Sequence, residues 1–496
     1  MSKRKEIFKD AGIYAVSSYI AQAFDILNGI LVRRFLGPTN MGIWSFLQII
    51  QNYAKHAGLG VTTATSRDVP YYLGKGDTQK ADQVKNLVFT FTVLTSIIAA
   101  LIVVAIAFWN KNTYSKPIFF GLFVVAGLIV LQRIYNLYVV VIRSHKAFAF
   151  AGILNIASSI LSLILTVVLT WKFQLTGFFA SLILNYVLMI FFIRLKTPYQ
   201  FSYYFNWKEL LPLLSLGSVM VVSDILRSVV ASIDRIMIAK YLGFEALGLY
   251  SIALMAGNYL YSFPNMLGII FFPHLQETLA KRDNPQDLEK YLREPTLCLS
   301  YLFPILIGAA WILSEFIFPI ILPKYAAGIP ALKLYILGAF FIALTHPYIN
   351  YIIAIKKHWQ LIPLHIFFIA FGFLITWIFI KAGWGLPGVA VAAAILDFSE
   401  FLTLSLIAFS NMYRWNTALK LYAKVAVSFI YSTACLLVLD YYFKGKGGQL
   451  GWCLLELIIF GIAMIPFLWI AEKESHVLTT IKGVITDYRN KVKIKS

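Results

Sequence analysis

Charged side chains inside long apolar runs are the chemistry this sequence offers. Asp25 lies on a helical stripe with Ser18, Gln22 and Asn28. Lys55 follows Gln48 and Asn52 at the i, i+4, i+7 spacing of one helix face. Arg133 stands ten residues before Arg143, the basic end of its run, which puts it roughly 15 Å deep at 1.5 Å per residue. Asp224, Arg227, Asp234 and Arg235 share another run, with positions 224, 227 and 234 on one face. Inserting each such charge at a helix centre costs about 2.5–3.5 kcal/mol, so each needs a reason to be there. One reading is a hydrated cationic cavity. Lys55, Arg133 and Arg227, with Asn52, Asp25, Asp224 and Arg235 around them, would donate charge-assisted hydrogen bonds to phosphate oxygens. The other is internal pairing, Asp224 with Arg227 at i, i+3 and Asp25 with Lys55, while Arg235 snorkels outward.

A second constellation lies in the carboxyl half. Asp397 and Glu400 are one helical turn apart in an apolar run, with Thr403 continuing the face and His346 and His365 in neighbouring runs. Two adjacent carboxylates in an apolar helix suit the loading and release of a proton or sodium ion. The alternative is a polar patch buried between helices. Cys298, Cys435 and Cys453 have no ligand spacing, so neither a metal site nor a disulfide framework is expected. No cofactor motif is present.

The elements that carry these groups are membrane helices. Of 496 residues 59% are hydrophobic and 13% charged, with a mean hydropathy of +0.75, more apolar surface than a water-soluble chain of this size can hide. The apolar runs reach about 20 residues and lack strand alternation, so they predict about fourteen transmembrane helices in an all-α polytopic protein. Net charge is +20. Roughly two-thirds of Lys and Arg fall in one set of alternate loops, which makes that set and both termini cytoplasmic and removes nucleic acid as a partner. The tail from His476 to Ser496 is expected to lie on anionic lipid. No connection is long enough to hold a catalytic domain, which argues against an enzyme.

Two stretches 206 positions apart follow one pattern, VRRFLGPTNMGIWS from Val32 and IAKYLGFEALGLYS from Ile238. Leu36/Leu242, Gly37/Gly243, Gly42/Gly248 and Ser45/Ser251 are identical, and the offset holds about six spans. This predicts a parallel repeat, with an N-terminal six-helix lobe (1–205), a C-terminal six-helix lobe (206–412) and two extra helices with a basic tail (413–496). Lys55 has Tyr261 as its counterpart and Asp234 aligns with Asn28. The halves therefore diverge where polarity matters, leaving the amino-terminal half more cationic.

The turn RRFLGPTNMGIWSF, then GLGVTTATSRDVPYYLGKGDTQKADQV with Arg67, Gly76 and Asp77, closely resembles the start of bacterial polysaccharide flippases. The second half resembles them too, in SIDRIMIAKYLGFEALGLYSIA, FFPHLQ and ILPKYAAGIPALKLYILG. The resemblance is to the Wzx-type branch of the multidrug/oligosaccharidyl-lipid/polysaccharide exporter superfamily. It implies two six-helix lobes around a central cavity in the bacterial inner membrane, moving undecaprenyl-diphosphate-linked oligosaccharide from the inner to the outer leaflet. It also implies membrane lipids and polysaccharide polymerase machinery as partners, with H+ or Na+ as a candidate coupling ion. The rivals are a cation-coupled multidrug exporter of the same superfamily and a membrane-embedded polymerase or glycosyltransferase. The first would carry acids and aromatics rather than mid-membrane cations; the second would need an acidic metal motif or a loop domain.

Overall fold

The computed structural model describes residues 3–281, 288–412, 415–443 and 449–475. Among these every regular element is a helix, the form in which a lipid-immersed backbone satisfies its own polar groups. In chain order they are α1 (Lys3–Ala54), α2 (Val61–Gly74), α3 (Thr78–Trp109), α4 (Lys116–Ser144), α5 (Phe148–Leu165), α6 (Trp171–Lys196), α7 (Trp207–Val230) and α8 (Ile233–Tyr241). There follow α9 (Gly243–Lys281), α10 (Glu289–Ile321), α11 (Ile329–Ala354), α12 (Leu361–Lys381), α13 (Gly385–Met412), α14 (Trp415–Phe443) and α15 (Leu450–Ser475).

Ten described segments are apolar and long enough to cross a membrane. Two of them, Gly12–Gly58 with 47 residues and Phe148–Lys196 with 49, would be about 70 Å long against a hydrocarbon core of about 30 Å. Each therefore makes two crossings, and each carries a backbone break where it turns. The first break is at Gly37 (φ 71°, ψ 173°) inside α1, the second at Gln174 (φ 52°, ψ −132°) inside α6. Counted so, the described segments make twelve crossings, and α7 (24 residues) and α9 (39 residues) are each long enough to add one, in keeping with the about fourteen that the sequence predicts. The basic tail, 476–496, lies outside the described residues.

The chain forms two compact units, Met1–Gly248 and Leu249–Ser496. In the first, α1 packs on α5, α3 on α4, and α4 on α6. Tyr135, Tyr138, Val139 and Ile142 of α4 bury against Ala151 and Leu154 of α5 and Met189 and Ile193 of α6. Leu137 and Val141, on the opposite side of α4, bury against Val61, Val69, Val84 and Leu87 of α2 and α3. Helix α4 is thus held from two sides, which fixes the depth of Arg133 on it. In the second unit α11 packs on α13 and α10 on α15.

The sequence repeat has a physical basis. Gly37 and Gly243 both have positive φ, 71° and 88°, a conformation that a Cβ disfavours. Gly42 and Gly248 are needed for contact. A Cβ on Gly42 would run into the carbonyl oxygen of Phe244 and lie 3.0 Å from Gly248 N. One on Gly248 would run into the carbonyl of Pro38. Positions 38 and 244 are themselves repeat partners, so the two turns meet reciprocally, each glycine admitting the other turn's backbone. A further correspondence was not visible in the sequence. Helices α4 and α11 both end on a left-handed lysine, Lys146 and Lys356 (φ 60° each), closed by like bonds: Ala147 N to Ile142 O at 3.1 Å and Lys357 N to Ile352 O at 3.0 Å.

The Arg67, Gly76, Asp77 signature is structural. Asp77 caps α3 by accepting from Lys80 N at 2.9 Å, and Ala81 is buried behind it. Arg67 donates to both Asp68 oxygens at 2.6 and 2.9 Å, and the carboxylate raises the pKa of the guanidinium further.

Candidate substrate site

The site grows from the place where α1 ends. Lys55–Gly58 is a 3₁₀ turn, and Leu59 and Gly60 follow in left-handed conformation (φ 47° and 76°) before α2 begins. The helix is therefore broken where the segment long and apolar enough to cross a membrane ends, at Gly58. Lys55 is exposed and donates to Asn52 Oδ1 at 2.6 Å. His56 Nε2 shares a hydrogen with Ser228 Oγ at 2.8 Å and interacts electrostatically with Asp224. Tyr53 and Ser232 are joined through their hydroxyls.

Arg133 reaches this turn from α4. Its guanidinium packs directly on Gly58, and a larger residue there would have to displace it. The residue is only 9% exposed, yet neither Nη1 nor Nη2 has a hydrogen-bond partner. A buried guanidinium with two idle donor groups is costly. Arg235, on α8, interacts electrostatically with Lys55. It donates through Nη2 to Ala231 O at 2.8 Å, stands 3.9 Å from Asp234, and leaves its buried Nε without a partner. Three cations thus gather about the break with donors to spare.

Neither internal ion pair weighed in the sequence is formed. Among the described residues no ion pair joins Asp224 to Arg227, although both lie on α7, exposed and half-buried respectively. Asp25 neighbours Ser159 and Tyr186 rather than Lys55.

Asp25 instead belongs to a patch of hydroxyls and amides. Gln51 donates to Gln132 Oε1 at 3.0 Å, and Gln132 in turn meets Tyr186. Asn28 Nδ2 donates to Ser162 Oγ at 3.0 Å, and Asn185 Nδ2 to Ser158 Oγ at 3.2 Å. Ser158 also meets Tyr135. This patch joins α1, α4, α5 and α6, and it adjoins the cations because Gln132 and Arg133 are successive on α4 while Gln51 and Asn52 are successive on α1. Sequence reading missed most of it. The serines at 158, 159 and 162 do share a helix face, but three hydroxyls are an ordinary sight in an apolar helix.

In the second unit Asp397 lies beside Gly338 of α11, at 3.2 Å from where a Cβ would stand, and interacts electrostatically with Tyr261, the repeat partner of Lys55. Glu400 is 3% exposed. The two carboxylates are therefore set between α13 and its neighbours in that unit. Among the described residues no group of three His, Cys, Asp or Glu is placed to hold a metal ion.

Residues 30–326 match the polysaccharide biosynthesis protein family Polysacc_synt_3, a stretch that takes in both repeated turns and every cation of the site. The chain belongs to the polysaccharide biosynthesis protein family. Solved structures show the same fold. The lipid II flippase MurJ, in an inward closed conformation, superposes with a TM-score of 0.68 at 15% identity, covering 93% of this chain and 99% of that one. A multidrug resistance MATE family transporter of the MOP superfamily, inward-facing, gives 0.64 at 16% identity over 84% of this chain and 98% of its own. The Vibrio cholerae MATE transporter VcmN, as a mutant, gives 0.57 at 14% identity over 83% and 97%. A search of curated proteins returns no relative of this chain. Together with the apolar helices, these likenesses show the fold of a multi-pass helical membrane protein. The MurJ structure covers more of this chain than these two MATE structures do, 93% against 84% and 83%.

Proposed function

We propose that this protein carries undecaprenyl-diphosphate-linked oligosaccharide repeat units from the inner to the outer leaflet of the bacterial cytoplasmic membrane, by alternating access and without catalysing a reaction. The observation that carries the reading is the buried, unpartnered Arg133 guanidinium beside Lys55 and Arg235 at the break where α1 ends. A diphosphate cannot cross hydrocarbon unaided. Lys55, Arg133, Arg227 and Arg235 supply the positive charge and the planar donor forks that phosphate oxygens accept. Asn52 and Asp224 orient Lys55 and His56, and the adjoining Asp25 patch offers the neutral donors and acceptors that sugar hydroxyls need.

The remaining assignments rest on the same reading. Both termini are cytoplasmic by loop charge. The repeat lobes are 1–205 and 206–412, with 413–496 appended. Asp397 and Glu400 load a proton or sodium ion, and polysaccharide polymerase machinery receives the product. The test is equilibrium binding by purified full-length protein. An undecaprenyl-diphosphate glycan should bind, the same lipid glycan with a neutral linkage should bind at least tenfold more weakly, and equal binding of the two would sink the reading.

A further inference from the structure

A second concentration of charge lies away from this site, in the second unit, where α10, α11, α14 and α15 come together. Lys333 Nζ donates to Glu315 Oε1 at 2.5 Å and to the Asp440 oxygens at 2.8 and 2.7 Å. Trp311 Nε1 donates to Asp440 Oδ1 at 3.0 Å, and its ring lies 4.8 Å from the ammonium. One cation therefore already serves two carboxylates. A third, Glu456 of α15, interacts electrostatically with Glu315, Asp440 and Lys333. It is only 4% exposed, and its buried Oε1 has no hydrogen-bond partner.

The charges do not balance. Facing Glu456 are Glu315 from α10, Lys333 from α11, Asp440 from α14 and Cys453 one turn back on its own helix. Three carboxylates and one ammonium leave two negative charges uncompensated in an apolar bundle. Among the described residues no group of three acids, histidines or cysteines is placed to hold a metal ion. The Glu315 and Asp440 side chains are 35% and 30% exposed and share the lysine, so their charge is supported. Glu456 is buried and forms no ion pair with the lysine. We propose that Glu456 is a proton-binding site built between the α14–α15 hairpin and the α10–α11 pair, and that its protonation state sets how firmly the hairpin is held.

The placement allows exchange. Glu315 and Asp440 stand six and three residues before the ends of α10 and α14, and Lys333 and Glu456 four and six residues after the starts of α11 and α15. All four are within two turns of a helix end, and the Glu315 and Asp440 carboxylates beside Glu456 are partly exposed there, where water can reach them. Taking up one proton from that water turns the Glu456 carboxylate into a neutral acid with no other bond changed. Losing it sets a third negative charge against Glu315 and Asp440, pushing α15 away from α10 and α14.

An apolar carbodiimide, which attacks protonated carboxyl groups, tests this on the wild-type full chain in lipid nanodiscs, with adducts located by peptide mass spectrometry. Glu456 should be modified at neutral pH, with modification falling about tenfold for each pH unit above the titration midpoint. The thermal midpoint of the wild type should also fall as pH is raised from the range where a free carboxyl group titrates up to the Glu456 midpoint and level off above it, and Glu456→Gln should abolish the fall. An unmodified Glu456 in a sample labelled elsewhere would overturn the proposal, whether or not the variant folds. So would a pH dependence of stability that survives Glu456→Gln.

Discussion

At the scale of the residue, the decisive feature is a guanidinium that the fold buries without a counter-charge. Breaking a buried ion pair destabilises a protein, but removing an uncompensated buried charge relieves it. Arg133→Met should therefore leave the thermal midpoint unchanged or raised, while weakening diphosphate-glycan binding by about 1.5–3 kcal/mol, roughly ten- to a hundredfold. Lys55→Ala and Arg227→Ala should weaken binding in the same direction, and reversal of any of the three to Glu should be worse than truncation. A lower midpoint with normal export in Arg133→Met would make this arginine structural. The carboxylates of α13 predict a different split. Asp397→Asn combined with Glu400→Gln should abolish the response of transport to an imposed ion gradient while diphosphate binding, measured directly, survives. Lys55, Arg133, Asp397 and Glu400 were legible in the sequence because charge in an apolar run is expensive and so stands out. Gln132, Asn185, Tyr186 and the α5 serines were not, because hydroxyls and amides cost little in a helix and only tertiary packing gathers them. The Lys333 cluster escaped for another reason: Glu315, Lys333, Asp440 and Glu456 each lie near a span end, where a charge reads as a loop residue.

At the scale of the element, the reciprocal meeting of Gly42 and Gly248 makes a sharp demand on two short turns. Replacing either by Ala places a Cβ against backbone that cannot yield, Phe244 O in one case and Pro38 O in the other. Overpacking of this kind costs about 1–3 kcal/mol. Gly42→Ala and Gly248→Ala should each lower the thermal midpoint, whereas Gly451→Ala, where a Cβ meets nothing within 4 Å, should not. Equal midpoints for all three variants would mean that the turns do not touch. The paired glycines were visible in the sequence as a repeat, but their reason was not, since nothing along the chain says that two turns 206 positions apart meet. The break after Lys55 was visible through Gly58 and Gly60. Its consequence, an opening that admits Arg133, depends on the register of α4 against α1 and could come only from the fold. The lysines that end α4 and α11 share no motif at all; backbone geometry alone relates them.

At the scale of the whole molecule, loop charge and span number predict an orientation that can be checked directly. Asn112, in the turn after α3, and Gln79, at the start of α3, are both exposed. With cytoplasmic termini, a cysteine at Asn112 should react with an impermeant thiol reagent added to intact cells, and one at Gln79 should react only after the membrane is permeabilised. The reverse labelling would invert the direction of entry. Composition and hydropathy made the all-helical membrane architecture legible from the start, because no other structure suits so apolar a chain. The sugar of the proposed cargo is not legible, because sugar is met by scattered hydroxyls and amides with no motif. The central claim is that a diphosphate-bearing lipid glycan is the cargo, and transbilayer movement in proteoliposomes tests it most directly. Wild-type protein should expose a labelled undecaprenyl-diphosphate oligosaccharide to an enzyme confined to the opposite side, with Arg133→Glu protein slowed at least tenfold in vesicles of equal protein content. Equal exposure by both proteins, or no exposure by the wild type while it moves an organic cation, would contradict the account.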